Sequence, residues 1–495
     1  MSTAKKFAGQ TAIYGVTTIA PRVLSFFLTP LWTSVYATGR YGILTTMFAW
    51  ASILNAVMAF GMETTFFRYL TKYADNKAKV YNNAFATILF ITVIFLLVTL
   101  PFVHAIALFI KVGNETSQAE FARFIVFFIA VLVIDAWCVI PFARLRAEGK
   151  PGRYGLIKTI NVFVFIALNL VFIWVIPWWI KHQLPLTSWI NGWYEKGWVG
   201  YVFVSNVISS GITLLLLLPE FLKIRLKVDW KMLGEMFVYS WPVLVANLSF
   251  IINENADKLL LGWLLKPNIS AHEVGIYGAC AKISIFLSIF IQAFRLGAEP
   301  FFFSHAKHKN AGQTYARIMD YFVITVCVIF IALIANIEIL KYFIPRKSYW
   351  VGLPVVPPLV LGYVSLGIYM NLSVWYKLSD QTKYGLYISG VGAILTLIIN
   401  VVFIPRYSYM ASAWASLIAY ASMMVLSYIW GQKNYPIPYN FKKNLAYILT
   451  SIIIVYISFY VFKRNIFAGD SLLVLYILAA VFLEWKEFKA ILTRK

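Results

Sequence analysis

Residues 236 to 265 read MFVYSWPVLVANLSFIINENADKLLLGWLL, an apolar run broken by Asn253, Glu254, Asn255, Asp257 and Lys258. In a water-soluble protein such a patch is an ordinary surface turn. Inside a membrane span, an ionisable group is costly and by default marks function. The rest of the chain decides between these settings. Of its 495 residues, 61% are hydrophobic and only 13% charged, with a mean hydropathy of +0.75, whereas about a quarter of residues are charged in soluble domains. This composition specifies an all-α polytopic membrane protein.

Runs of roughly 20 apolar residues are long enough to cross about 30 Å of hydrocarbon. Fourteen such spans are found, at 9 to 34, 41 to 62, 82 to 103, 120 to 141, 155 to 177, 197 to 219, 234 to 262, 274 to 298, 316 to 340, 354 to 376, 384 to 404, 410 to 430, 443 to 462 and 470 to 484. Lys5 and Lys6 precede the first without a cleavage pattern, so it reads as a retained helix. The formal charge of +23 raises the question of nucleic acid. Most of the 43 Lys and Arg residues, however, lie in loops on the side of the N-terminus, for example Arg144, Arg146, Lys150 and Arg153, or Lys223, Arg225 and Lys227. The positive-inside rule explains that bias without nucleic acid and predicts that both termini are cytoplasmic. Connections on the other side are short. The longest, Trp178 to Lys196, carries tryptophans suited to the membrane interface.

An internal repeat runs through the chain. Gly61-Met62-Glu63-Thr64-Thr65-Phe66-Phe67 ends span 2, and Gly297-Ala298-Glu299-Pro300-Phe301-Phe302-Phe303 ends span 8. Tyr41-Gly42 matches Val274-Gly275, and Lys6 and Tyr14 match Lys231 and Tyr239. Matches in order between spans that start on one side predict two parallel six-helix lobes, residues 1–225 and 226–431, followed by two further helices in 432–495.

Several polar positions could carry chemistry. Span 1 bears a stripe of Thr11, Thr18, Arg22, Ser25 and Thr29, with Pro21 favouring a kink. Arg22 is placed either to bind an anionic headgroup through its guanidinium fork or to partner an inward carboxylate. In span 7, Asn247, Glu254, Asp257 and Lys258 share one helical sector, and Glu254 precedes Lys258 in the favourable i to i+4 order. They read as an ion-coupling or gating network, or as a helix end near the interface. Span 8 carries Ser284, Ser288, Gln292, Arg295 and Glu299; the last two form either a gate or an intrahelical pair, while Lys282 either binds phosphate or snorkels. Glu63 and Arg68 hold the equivalent place after span 2. Asp135, inside span 4, is a candidate for ion coupling or a hydrogen-bonded structural group. Tyr369, Asn371, Trp375 and Tyr376 either stack on sugars or form an interfacial cluster.

Cys138, Cys280 and Cys327 sit in apolar runs and read as small buried hydrophobes. His305-x-x-His308 lacks a third ligand nearby, and no phosphate-cradling Gly-Lys-Ser/Thr loop occurs. Neither a metal, a cofactor nor catalysis is expected.

The six-plus-six-plus-two arrangement, the Lys-Lys-Phe-x-x-Gln-Thr-x-x-Tyr-Gly motif at residues 5 to 15 and Arg40-Tyr41-Gly42-Ile43 resemble polysaccharide-biosynthesis flippases of the O-antigen (Wzx-type) branch. That branch belongs to the multidrug/oligosaccharidyl-lipid/polysaccharide exporter superfamily. The resemblance implies two bundles around a central cavity that alternates between inward-open and outward-open states. It also implies a lipid-linked oligosaccharide as cargo, membrane lipids and polysaccharide-assembly proteins as partners, and coupling to a proton or sodium ion. On this reading Arg22, Lys282 and Asn247 meet the cargo, and Asp135, Glu254, Asp257, Lys258, Arg295, Glu299, Glu63 and Arg68 gate it or couple ions. The alternatives are a drug or cation antiporter of the same superfamily and a membrane-embedded glycosyltransferase or polymerase, the latter disfavoured by the short outer loops.

Overall fold

The computed structural model describes residue 24 and residues 26–225, 227–306, 308–379 and 381–492. The main helices are α1 (Leu28–Val35), α2 (Thr38–Ala59), α3 (Met62–Lys72), α4 (Lys77–Thr99), α5 (Val103–Ile110), α6 (Gln118–Ala147), α7 (Pro151–Leu170), α8 (Gly200–Leu216), α9 (Trp230–Leu264), α10 (Pro267–His305), α11 (Ala311–Ala335), α12 (Val356–Leu372), α13 (Val374–Leu378), α14 (Lys383–Tyr407), α15 (Tyr409–Asn434), α16 (Phe441–Tyr456) and α17 (Ile466–Leu492). No strand occurs among the described residues. Among the described residues, twelve helical segments are long and apolar enough to cross a membrane, and α8 is a shorter apolar helix at the place of span 6. Each falls on one of the spans 2 to 14 read from the sequence; of span 1, α1 covers the last part, while residues 9–23, with Arg22, and residue 25 lie outside the described residues. The protein is a multi-pass membrane protein.

Helix boundaries follow local chemistry. Ser117 caps α6 by accepting the Glu120 amide at 3.1 Å, the first half of a Ser-x-x-Glu capping box. Asp229 caps α9 by accepting the amides of Lys231 and Met232 at 3.0 and 3.1 Å. Between α2 and α3, Phe60 and Gly61 take left-handed backbone angles, with φ of 47° and 65°. A Cβ at Gly61 would also come within 3.0 Å of the Val243 side chain and 3.1 Å of the Ser240 carbonyl, so both the backbone angle and the space favour glycine.

The chain packs as two compact units, residues 1–278 with 404–408, and residues 279–403 with 409–495. In the first, Met58, Phe66, Tyr81, Ile88, Ile140 and Met236 interlock at the Lys/Arg-rich ends of the helices. In the second, Phe302, Tyr315, Val374 and Ile437 form a smaller core. Hydrocarbon solvates Leu as well as a neighbouring helix does, so packing and hydrogen bonds must hold such bundles together. Accordingly, Trp32 donates to Asn169 at 2.9 Å and Asn161 to Thr213 at 2.9 Å in the first unit, and Asn444 donates to Asp320 at 2.8 Å in the second. Buried hydroxyls such as Thr87 and Ser205 turn back onto carbonyls four residues earlier. Outward-facing Phe163, Phe467 and Phe482 are 70, 86 and 81% exposed, an arrangement suited to lipid. In the 178–198 connection, Trp178, Trp189 and Trp193 are exposed.

Candidate transport site

The repeat-related glycines read from the sequence touch each other. Adding a Cβ at Gly42 of α2 would place it 1.9 Å from the carbonyl oxygen of Ala271. Adding one at Gly275 of α10 would place it 1.9 Å from the carbonyl oxygen of Thr38. Gly42 and Gly275 are repeat mates, and so are Thr38 and Ala271 at the same offset. The contact is therefore reciprocal, as a local two-fold axis requires. Only glycine lets two helix backbones come this close. Beside it, His272 Nδ1 lies 2.6 Å from the Thr38 hydroxyl and His272 Nε2 lies 3.0 Å from Glu115. Arg40 donates to the Gly197 carbonyl at 2.6 Å. This contact lies at the helix ends opposite the Lys/Arg-rich loops.

The polar patch of α9 stays helical and is tied down. Asp257, 3% exposed, accepts hydrogen bonds from the Tyr277 hydroxyl, from the Lys258 amide at 2.8 Å and from Lys258 Nζ at 3.0 Å. The same ammonium donates to the main-chain carbonyl of Glu254 at 2.6 Å. Lys258 thus bridges Asp257 and a helix carbonyl, where the spacing suggested a side-chain pair with Glu254. Asn253 is buried, Glu254 half-buried and Asn247 exposed. On α6, half-buried Asp135 accepts from the Ser210 hydroxyl at 2.8 Å.

Glu63 and Arg68 do not meet. Glu63 at the start of α3 pairs with Arg146 at the end of α6, and Arg68 stacks 4.3 Å over the Tyr239 ring. Next to them, Lys72 and the Tyr73 hydroxyl both reach Glu235, at 2.8 and 3.1 Å. The second unit carries a counterpart. Glu299, the repeat mate of Glu63, pairs with Lys377 at 2.7 Å, while Arg295 stands 3.9 Å away. Arg146 ends span 4 and Lys377 ends span 10, so each unit ties its repeat-related glutamate to a cation from the equivalent helix.

Around Glu299 lies a cleft lined by Phe294, Arg295, Phe322, Met370, Asn371 and Lys377. Two cations face one carboxylate, and Asn371 is only 7% exposed. A guanidinium and an ammonium beside a buried amide suit a phosphate-bearing ligand. Tyr369 donates to or accepts from Tyr376 at 3.2 Å behind this wall, and both are buried with Trp375, so they act as packing. Lys282 is half-buried on α10. Arg22 lies outside the described residues.

Two charge hubs escaped the sequence reading. Glu220, fully buried, meets Lys223 at 3.0 Å, Arg153 at 3.1 Å and Arg144 at 3.6 Å. Lys443 joins Glu484 at 2.7 Å and Asp320 at 3.3 Å. Outside the spans, burial pushes the Glu148 carboxyl up, but Lys150 and Arg144 outweigh it and hold the group at about 2. Lys79, with the Met232 amide, holds Asp229 below its ordinary range. Among the described residues, no three His, Cys, Asp or Glu side chains converge as metal ligands.

Comparison with known proteins places this geometry. The sequence profile of the polysaccharide biosynthesis protein family matches residues 8–298, more than half of the chain. The chain belongs to this family. A second profile, MatE, matches residues 242–402. The fold is similar to that of the lipid II flippase MurJ in an inward closed conformation, with a TM-score of 0.75 at 13% identity over 96% of this chain and 100% of that one. It is also similar to a multidrug resistance MATE family transporter of the MOP superfamily in its inward-facing conformation, with a TM-score of 0.65 at 12% identity over 83% of this chain and 93% of that one. A sequence relative is an uncharacterized membrane protein of Methanocaldococcus jannaschii, 20% identical over 77% of this chain and 74% of its own length. This family member thus shares its fold with both structures, which is consistent with about fourteen membrane helices.

Proposed function

We propose that this family member is an alternating-access flippase moving a polyprenyl-pyrophosphate-linked oligosaccharide across the bacterial cytoplasmic membrane for surface polysaccharide assembly. The observation that carries the reading is the Arg295–Glu299–Lys377–Asn371 cleft, which keeps a surplus positive charge among span helices. Arg295 is half-exposed and Lys377 partly exposed at the helix ends, so an anionic headgroup can reach both, and a pyrophosphate would balance the cation that Glu299 leaves uncompensated. Arg22, Lys282 and Asn247 are assigned further contacts with the cargo. The lobes that alternate are residues 1–225 and 226–431, with 432–495 appended and both termini cytoplasmic, as the Lys/Arg distribution favours.

Each state needs its own contacts to be populated. The Gly42–Gly275 contact stabilises closure at the ends away from the basic loops. Glu63 and Glu299 exchange partners during the cycle, with Arg68 taking part beside Glu63. Asp257, Glu254, Lys258 and Asp135 are assigned to coupling, by proton or sodium ion. Glycan-assembly proteins are the partners that deliver and receive the cargo.

The test is flipping of a fluorescent lipid-linked oligosaccharide in proteoliposomes. R295Q together with K377Q should reduce the rate at least about tenfold, a loss of about 1.4 kcal/mol in transition-state stabilisation. Unchanged flipping by the double variant overturns the assignment. The MatE match over 242–402 favours one second reading, a drug or cation antiporter; proton-driven uptake of a small organic cation by the same proteoliposomes would select it.

A further inference from the structure

The first unit contains a cavity of about 240 Å³ between α2, α4, α5 and α6, lined among others by Met47, Trp50, Leu54, Phe109, Phe128 and Ile129. Thr99 also reaches it, but its hydroxyl is spent on the Phe95 carbonyl at 2.7 Å. Voids larger than a water molecule are few in close-packed interiors, and those lined only by apolar groups stay dry. An engineered apolar cavity of about 150 Å³ in another protein binds benzene, so the space here is sized for hydrocarbon. It is also reachable. Phe109 lines the cavity yet is 68% exposed, and on α4, α5 and their connection Leu97, Phe102 and Leu108 are 69, 60 and 64% exposed. The Trp263 ring of α9 stands 5.4 Å from Trp50 and 5.2 Å from Phe109, forming an aromatic clasp at this mouth.

The position narrows the occupant. Phe95 and Thr99 lie at the end of α4 away from Lys77 and Lys79, so the cavity sits in the half of the bundle opposite the basic loops. It is walled by α2, whose far end leads to Glu63, and clasped by α9, five residues beyond Lys258. We infer that this cavity docks part of the polyisoprenyl chain of the cargo lipid in the destination leaflet. This inference rests on the flippase reading and deepens it. The headgroup of such a lipid crosses the membrane while its tail remains in hydrocarbon, and a lateral apolar dock at the receiving side holds the tail near the path of the headgroup.

The experiment replaces Phe109 by the photo-crosslinker p-benzoylphenylalanine in the full chain. The protein is placed in nanodiscs of phosphatidylethanolamine doped with undecaprenyl phosphate, a probe without sugar. The same replacement at Phe482, exposed on α17, serves as the bulk-lipid control. The expected result is a polyprenyl adduct at position 109 enriched about tenfold over its mole fraction, with no enrichment at 482. A51F, which fills the cavity wall, should abolish the enrichment while the thermal unfolding midpoint confirms that the variant is folded. Phospholipid adducts in simple proportion to their abundance, or no lipid adduct at 109, overturn the inference. If flipping persists in proteoliposomes while the adduct is missing, the dock is wrong and the transport reading stands. If the adduct forms and flipping is absent, the dock stands as a polyprenyl site and the transport reading fails.

Discussion

G42A and G275A probe a backbone-to-backbone helix contact. Each new Cβ would start 1.9 Å from a carbonyl oxygen of the facing helix, where ordinary contact needs about 3.4 Å, so the helices must part by about 1.5 Å. Neither neighbour is a flexible side chain; both are backbone. Overpacking of this kind costs about 1–3 kcal/mol, which shifts the balance between closed and open forms by about 5- to 150-fold. Because the contact is reciprocal, one separation relieves both clashes, and the double variant should cost little more than either single one. The readout is maleimide labelling of T38C, buried at 7% exposure in the closed contact, against a background of three buried native cysteines. Labelling should rise in each single variant and rise no further in the double. Additive effects of the two substitutions, or labelling as slow as in the parent, would refute the argument.

Removing the donor in Y277F should leave buried Asp257 short of a hydrogen bond and cost about 1–3 kcal/mol; K258M should cost about 3 kcal/mol or more, and D257N should partly rescue it, all read as thermal midpoints. The pairs Glu63–Arg146 and Glu299–Lys377 are half-exposed, so E63Q and E299Q should each cost only about 0.2–1 kcal/mol of stability while slowing flipping, and a rate unchanged in both would remove them from the cycle. Glu148 titrates at about 2 when folded, below its ordinary value of 4.5, and Asp229 is also lowered. The stability they lend is therefore complete above their ordinary values and lost as pH falls from there through the folded values. E148Q with D229N should flatten the fall of the unfolding midpoint between about pH 4.5 and pH 2.

Topology was legible in the sequence because each span is a local property: twenty apolar residues announce a helix wherever it packs. The repeat was legible too, since Glu63 and Glu299, or Gly42 and Gly275, keep their neighbours. Partners were harder. Glu63 pairs with Arg146 across 83 residues, a relation that no periodicity encodes, so Arg146 read only as a topological charge. Helical spacing offered Lys258 the Glu254 side chain, but a flexible ammonium can equally take the carbonyl of the preceding turn and the adjacent carboxylate. The repeat itself was the unused signal. If Glu63 and Glu299 are mates, basic residues ending spans 4 and 10 are expected as their partners. The Glu220 hub stayed hidden because its carboxylate sits in a short helical turn whose partners Arg144 and Arg153 come from two other segments, with Lys223 one turn further on.

The central claim is tested most directly by the lipid-linked intermediates of a strain depleted of this protein. The account predicts that one polyprenyl-pyrophosphate oligosaccharide accumulates on the cytoplasmic side and that surface polysaccharide falls in parallel. An unchanged pool of such lipids, with surface polysaccharide also unchanged, would contradict it.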